Sequence, residues 1–320
     1  MRERDESLDV AKGILAIFVV YGHVFTGGRL YSFIYTFHIP AFFMITGVLI
    51  GLTEEHLRSP RDMLTRNLLT IGIPYVFFEI LGGITYYLRF GYGQTPVGLA
   101  YNSAIMHCNN GPDWFLYVLL ISKCLFLLFI KSIMRLRKPG IWLGVYCSVA
   151  MLFAIMGIRI PGDHWVIAIA RKVAVAHGYI LIGFAGRKLF CTKQTVAGII
   201  ACMATVIISL INKFPDMSRL NFGNPALYMI GALFGSYAVL QLSKLVKSRI
   251  LSYYGKGSLI VMGTHVPILF LIRHVLSVDE FPLWEGLAVI CVIMMIEYPT
   301  IYLIQNYMPW VIGKRKMNKR

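Results

Sequence analysis

Residues 8–51, LDVAKGILAIFVVYGHVFTGGRLYSFIYTFHIPAFFMITGVLIG, contain two apolar runs, 8–26 and 30–51, with a glycine-rich turn between them. Each is close to the roughly 20 residues a helix needs to cross a hydrocarbon core. Each also carries groups that hydrocarbon does not tolerate cheaply: Asp9, Lys12 and His23 in the first run, His38 in the second. The apolar length decides the fold class, and the polar exceptions mark where chemistry belongs.

The same reading extends along the chain. Further runs lie at 68–88, 113–130, 141–158, 166–186, 195–212, 224–242, 254–272 and 283–305. The composition agrees: 57% of the 320 residues are hydrophobic and 14% charged, against roughly 45–50% and about 25% in soluble domains. The sequence predicts an all-α, polytopic integral membrane protein with about ten transmembrane helices, forming one membrane-embedded domain over 1–320. A disordered chain and a disulfide scaffold are excluded. Cys124, Cys147, Cys202 and Cys291 fall within spans, Cys191 in an inner loop and Cys108 in an outer one, so no outer pair exists to oxidise.

The net charge of +16, from 31 Lys and Arg against 15 Asp and Glu, would point to nucleic acid in a soluble chain. Its placement gives another account. With both termini cytoplasmic, the inner segments hold Arg2, Arg4, Arg58, Arg61, Arg66, Lys131, Arg135, Arg137, Lys138, Arg187, Lys188, Lys193, Lys244, Lys247, Arg249 and the cluster Lys314 to Arg320. The outer segments hold only Arg29, Arg89, Arg159, Lys213, Arg219 and Arg273. This alternation is the positive-inside signal and removes the need for a nucleic-acid partner. The start, MRERDESLDV, is charged, but Asp9 and Lys12 interrupt the apolar run, so a retained first helix is expected rather than a cleaved signal peptide. The longest loop, 89–112, is read as an outer connector or lid.

A charge at the bilayer centre costs at least about 2.5–3.5 kcal/mol, so each intramembrane ionisable group needs a partner, a wet cavity or a function. Lys12 and His23 lie on one stripe of the first helix, about 16 Å apart along its axis. Asp9 and Lys12 either neutralise each other at i,i+3 or serve the chemistry. His38 and His265 reach a similar depth to His23, and Ser258 lies on the face of His265, about 10 Å deeper. Glu79, Asp113 and Glu297 are placed in the outer half or near the midplane. The economical expectation is one polar cavity in which imidazoles act as bases. His177, Arg171 and Lys172 admit no assignment on this basis. No metal-ligand spacing or phosphate loop is present.

The blocks LDVAKGILAIFVVYGH, FHIPAFFMITGVLIG, RNLLTIGIPYVFFE, DWFLYVLL and YYGKGSLIVMGTH resemble, in order, those of the acyltransferase 3 family of integral membrane O-acyltransferases, and in particular its fucose 4-O-acetylase-like branch. The resemblance implies a multi-pass protein of the bacterial cytoplasmic membrane. It implies acetyl or other acyl transfer from cytoplasmic acetyl-CoA (or another acyl-CoA) to a hydroxyl of a surface-polysaccharide or lipid-linked sugar, without a metal. The family signature in the first helix is an arginine and, after ten residues, a histidine; here the histidine is His23 and Lys12 stands in the arginine position, which keeps the charge and loses the planar fork.

A sugar hydroxyl needs a base to attack a thioester, for which His23 is the first choice and His38 the second. A protonated histidine or Lys12, with Asp9 beside it, would meet the oxyanion. Arg58, Arg61 and Arg66 are placed to meet CoA phosphates. Glu79, Asp113, Trp114, Ser258, His265 and Glu297 are expected around the sugar acceptor, with direct transfer rather than an acyl-Ser258 intermediate. The remaining partners are membrane lipids. The rival is a transporter or exporter of a lipid-linked or polysaccharide sugar that uses intramembrane His, Asp and Glu.

Overall fold

The computed structural model of the chain describes residues 6–90, 111–159, 165–212 and 214–314. The expected loop 89–112 therefore lies largely outside the described residues. In chain order the helices are α1 (Glu6–Val24), α2 (Arg29–Leu52), α3 (Pro60–Asn67), α4 (Ile73–Phe90), α5 (Trp114–Met134), α6 (Pro139–Arg159), α7 (Trp165–Ala185), α8 (Arg187–Cys191), α9 (Thr195–Ile211), α10 (Pro225–Leu242), α11 (Arg249–Lys256), α12 (Ser258–Leu276) and α13 (Leu283–Tyr307). Among the described residues no strand forms beyond an isolated bridge between Asp216 and Asn221. Among the described residues nine helices are long and apolar enough to cross a membrane, α3 and α4 counting as one; α9, with 17 residues, is shorter.

The long helices follow the expected apolar runs, with two shifts of boundary. The 68–88 span belongs to a helix that starts at Pro60, because Ser59 accepts a hydrogen bond from the Asp62 amide at 3.1 Å and Pro60 suits the first turn. A π-helical turn at Leu68–Gly72 joins α3 to α4. The 254–272 span is displaced. Its first residues belong to α11, an amphipathic helix capped by Ser248, and α12 runs from Ser258 to Leu276. The break falls at Gly257, where a Cβ would meet the Ile301 side chain at 2.6 Å.

Lipid tails are as apolar as leucine, so burial alone does not hold helices together inside a membrane; close backbone approach does. Glycine makes that approach here. A Cβ on Gly47 of α2 would lie 1.9 Å from the Ile180 carbonyl oxygen of α7, and one on Gly183 of α7 would lie 2.0 Å from that of Met44. Gly13 and Gly255 seat α1 on α11 in the same way, against the carbonyls of Leu251 and Asp9. The resulting core has α1 and α2 at its centre. α7, α9 and α10 pack on the α2 side; α4 joins α12, which with α11 and α13 covers α1. The outward faces carry Trp142, Phe153, Ile200, Val275 and Met295, a girdle that water would not tolerate and lipid does.

Two prolines interrupt helices beside histidines: Pro40 follows His38 in α2, and Pro267 follows His265 in α12. Each removes one backbone donor, leaving the carbonyls of Thr36 and Gly263 without their ordinary helical partners. At one end of the bundle lie the start of α1, the end of α2, α3, α11 and the Pro309–Ile312 turn; the other end holds the α1–α2 turn, Gly111–Asp113 and the loop before α10.

Gly47→Val is expected to lower stability by about 1–3 kcal/mol through overpacking, whereas Gly144→Val, where a Cβ meets nothing within 4 Å, leaves it unchanged. Loss of helicity during SDS titration of the purified protein measures both, and equal midpoints would refute the packing assignment.

Candidate active site

At the end of the bundle that holds the α1–α2 turn, a cavity of about 880 Å³ is lined by His23 of α1 and His38 of α2, with Tyr31, Tyr35, Trp114, Lys172, Asp216, Arg219 and Arg273. His38 Nδ1 donates to the Ile34 carbonyl at 2.9 Å. Because a carbonyl only accepts, Nδ1 holds the proton and the neutral ring offers a lone pair at Nε2. The ring centroid of His265 lies 4.9 Å from that of His23. His265 Nδ1 donates to the Val261 carbonyl at 2.6 Å. Its Nε2 is buried and has no hydrogen-bond partner among the described residues.

Aromatic packing fixes the rest of the wall. Tyr31 and Tyr35 stack at 3.8 Å, Tyr35 leans on the His38 ring at 4.6 Å, and its hydroxyl donates to the Gly22 carbonyl at 3.1 Å. Gly22 makes this possible, since a Cβ there would stand 2.4 Å from the Tyr35 ring. Trp114 lies under the buried Lys172 ammonium, 5.0 Å from ring centroid to nitrogen, in cation–π contact. Arg273 donates to the His23 carbonyl at 3.3 Å. The loop before α10 is built around Asp216, whose Oδ1 accepts from the Ser218 amide at 2.8 Å and hydroxyl at 2.6 Å, while Oδ2 faces Arg219 Nε at 3.5 Å.

The other end carries a basic groove. Two adjoining cavities of about 480 and 450 Å³ share Arg66, Thr70 and Gly313; Arg58 and Arg61 line the first, Lys256 and Lys314 the second. The arginines expected to act together therefore do share a surface. The turn that presents Arg58 is tied to α5 twice: Glu55 pairs with Lys123 at 3.1 Å, and Lys131 donates to the Arg58 carbonyl. Beside this turn, burial and the nearby Arg187 hold the His56 imidazole below its ordinary range, so the groove's positive charge comes from arginine and lysine.

Other expected site residues fall elsewhere. Lys12 and Asp9 form an ion pair at 2.8 Å and line neither the histidine cavity nor the groove. The carboxyls do not share the cavity either. Asp113 lies within hydrogen-bond reach of Glu79. Glu297 is buried between α13 and α12, where the Thr264 hydroxyl lies 2.7 and 2.9 Å from its oxygens. That hydroxyl also reaches the Ile260 carbonyl at 2.7 Å, so its single proton serves one acceptor at a time. Ser258 sits half-buried at the start of α12, toward the groove end, and does not line the histidine cavity.

Sequence reasoning missed Tyr31, Tyr35 and Asp216, left Lys172 unassigned, and treated Arg219 and Arg273 as topology markers. The usable signal for Tyr35 was its position three residues before His38, on the same helical face. For Asp216 and Arg219 only the folded loop brings them to the cavity.

A family model described as an acyltransferase domain, acyltransferase 3, matches residues 5–302. The chain belongs to the acyltransferase 3 family. No curated protein and no solved structure matches it. Membership makes the chain an acyltransferase, and its long apolar helices fit a multi-pass membrane protein. The histidine cavity and the basic groove of this acyltransferase lie at opposite ends of the bundle, and Ala16 and Leu15 fill the α1 interior between the Lys12–Asp9 pair and His23.

Lys123→Met leaves Glu55 largely buried without its cation and is expected to destabilise the protein by about 3 kcal/mol, with most of the loss recovered in the Lys123→Met, Glu55→Gln double variant. Thermal midpoints of the detergent-solubilised proteins test this, and additive losses would rule out the ion pair as the tie.

Proposed function

We propose that this acyltransferase moves an acetyl group from cytoplasmic acetyl-CoA to a hydroxyl of a surface-polysaccharide or lipid-linked sugar, in a bacterial cytoplasmic membrane with the groove end facing the cytoplasm. The observation that carries the reading is the division of labour between the two ends. The groove offers Arg58, Arg61 and Arg66 to an anionic nucleotide, and the cavity offers two imidazoles among aromatic rings, the composition of a sugar site. The orientation follows from the charge alternation, which also puts both termini inside. The fucose 4-O-acetylase-like branch is supported by the order of the sequence blocks.

In this reading the sugar hydroxyl gives its proton to His23 as the hydroxyl oxygen attacks the thioester carbon; the tetrahedral oxyanion collapses, the new ester forms, and the thiolate of CoA leaves and takes a proton. His265 is a positioning residue: its buried Nε2 is an acceptor beside the His23 ring, suited to orient the imidazole and favour one tautomer. His38, held by Ile34, is the second base candidate. Lys12, already engaged by Asp9, stays paired and takes no part at the reacting carbonyl. The acyl end must travel from groove to cavity along α1, so the reading requires the packed side chains at Leu15 and Val19 to part. Direct transfer follows because no serine or cysteine stands with His23 in the cavity lining among the described residues except Ser218, which is held by Asp216.

Opposed cavities separated by a packed core also suit an alternating-access transporter, and the two readings are separated by one experiment. Membranes containing the wild type are expected to transfer labelled acetyl from acetyl-CoA to glycan, with a loss of about 10²- to 10⁴-fold in His23→Ala; label transfer by neither protein, with glycan export intact, would favour transport. Arg58→Gln, Arg61→Gln and Arg66→Gln are each expected to raise the KM for acetyl-CoA by about tenfold while leaving the KM for the acceptor unchanged. An unchanged KM for acetyl-CoA would remove the groove from the reading.

A further inference from the structure

The groove and the histidine cavity share no described lining residue, yet α12 reaches both: Leu259 and Ile260 line the groove, and Met262 lines the cavity. No other helix does so among the described lining residues. Leu259, Met262 and His265 follow one another at intervals of three, which puts them in one row on a single helical face, each step rising about 4.5 Å. The row starts in the groove and ends at a ring whose centroid lies 4.9 Å from that of His23. Met262, its middle member, is buried. α1 packs against α12 and contributes Val19 to the same cavity. Along this face the partition between the two spaces is less than one helical turn thick, and Met262 fills it.

Methionine suits a plug that must yield. Its side chain is unbranched and turns about three bonds, so it opens a gap without a shift of backbone. The backbone here is held from other sides: a Cβ on Gly263 would stand 2.0 Å from the Phe78 ring of α4, and the Thr264 hydroxyl reaches back to the Ile260 carbonyl at 2.7 Å. We infer that Met262 is the gate between groove and cavity, a positioning residue whose side chain turns aside so that the pantetheine arm of the acyl donor passes along the row from Leu259 to His265 and brings its thioester to His23. The passage along α1 that transfer requires then has α12 as its other wall. The inference rests on the reading of the groove as the donor site and of His23 as the base.

The test uses the purified full chain and CoA disulfide as the probe. In Met262→Cys the introduced thiolate attacks one sulfur of the probe, forming a protein–CoA disulfide and releasing the other half as CoA thiolate, if the CoA sulfur reaches this position. Peptide mass analysis is expected to find CoA at the substituted position, with less of it when acetyl-CoA is in excess. Leu269→Cys is the control, buried on the same helix and lining neither space, and is expected to carry no CoA at its substituted position. A merely structural residue would give no such signal. Met262→Phe, bulkier and stiffer, is expected to lower kcat for acetyl transfer about tenfold with the KM for acetyl-CoA unchanged, because the groove is untouched. No adduct in Met262→Cys while acetyl-CoA still binds would overturn the inference, as would a Met262→Phe kcat equal to that of the wild type. Acetyl transfer by the wild type without the adduct removes the gate alone; the adduct in a protein that transfers no acetyl removes the transferase reading and leaves the passage standing.

Discussion

Where Gly47 of α2 meets Gly183 of α7, the backbones of two helices touch with no side chain between them. Much else depends on that kind of contact. In hydrocarbon a helix gains little by leaving lipid for protein, so the packing energy must come from surfaces that approach more closely than lipid chains can. The glycine seats of α1 on α11 and of α2 on α7 supply it, and they hold the helices that carry His23 and His38 at the centre of the bundle. Gly22 extends the device to function: without a Cβ it admits the Tyr35 ring, and Tyr35 in turn supports His38.

The same economy governs charge. Several buried ionisable groups described in the membrane region have been given their own local answers. Asp9 holds Lys12, Asp113 lies against Glu79, Thr264 attends Glu297, and Trp114 lies against Lys172. Such answers keep the bundle stable. They also separate groups that a depth argument alone would merge into one polar chamber, so the histidine cavity is lined by fewer acids and more cations than depth along the helices implies.

The positions of the long apolar helices were legible because hydrophobicity over about 20 residues is a local property of the chain. The departures came from features that act over a single residue or across space: the Ser59 and Pro60 start signal, and Gly257, whose role as a break depends on Ile301 of a different helix. His23, His38 and Trp114 were readable as cavity residues from depth and from family blocks. Arg273 was not, because a cation near the end of a span looks like a topology mark until the contact with the His23 carbonyl, 250 positions away, is seen. Lys12 was legible as part of an ion pair but not as a group apart from both cavities, since helical periodicity gives its face and not its neighbours.

The prolines beside His38 and His265 have a mechanical consequence. A helix ordinarily resists bending because each backbone bond on its convex side must stretch. At Pro40 and Pro267 one such bond is already missing, so α2 and α12 each have a compliant joint near the level of their imidazoles. Bending there costs no further backbone bond, and the seat of Gly47 on α7 holds the rest of α2 in place. The bundle is thus built stiff where the helices must stay together and pliant where a bulky guest must enter.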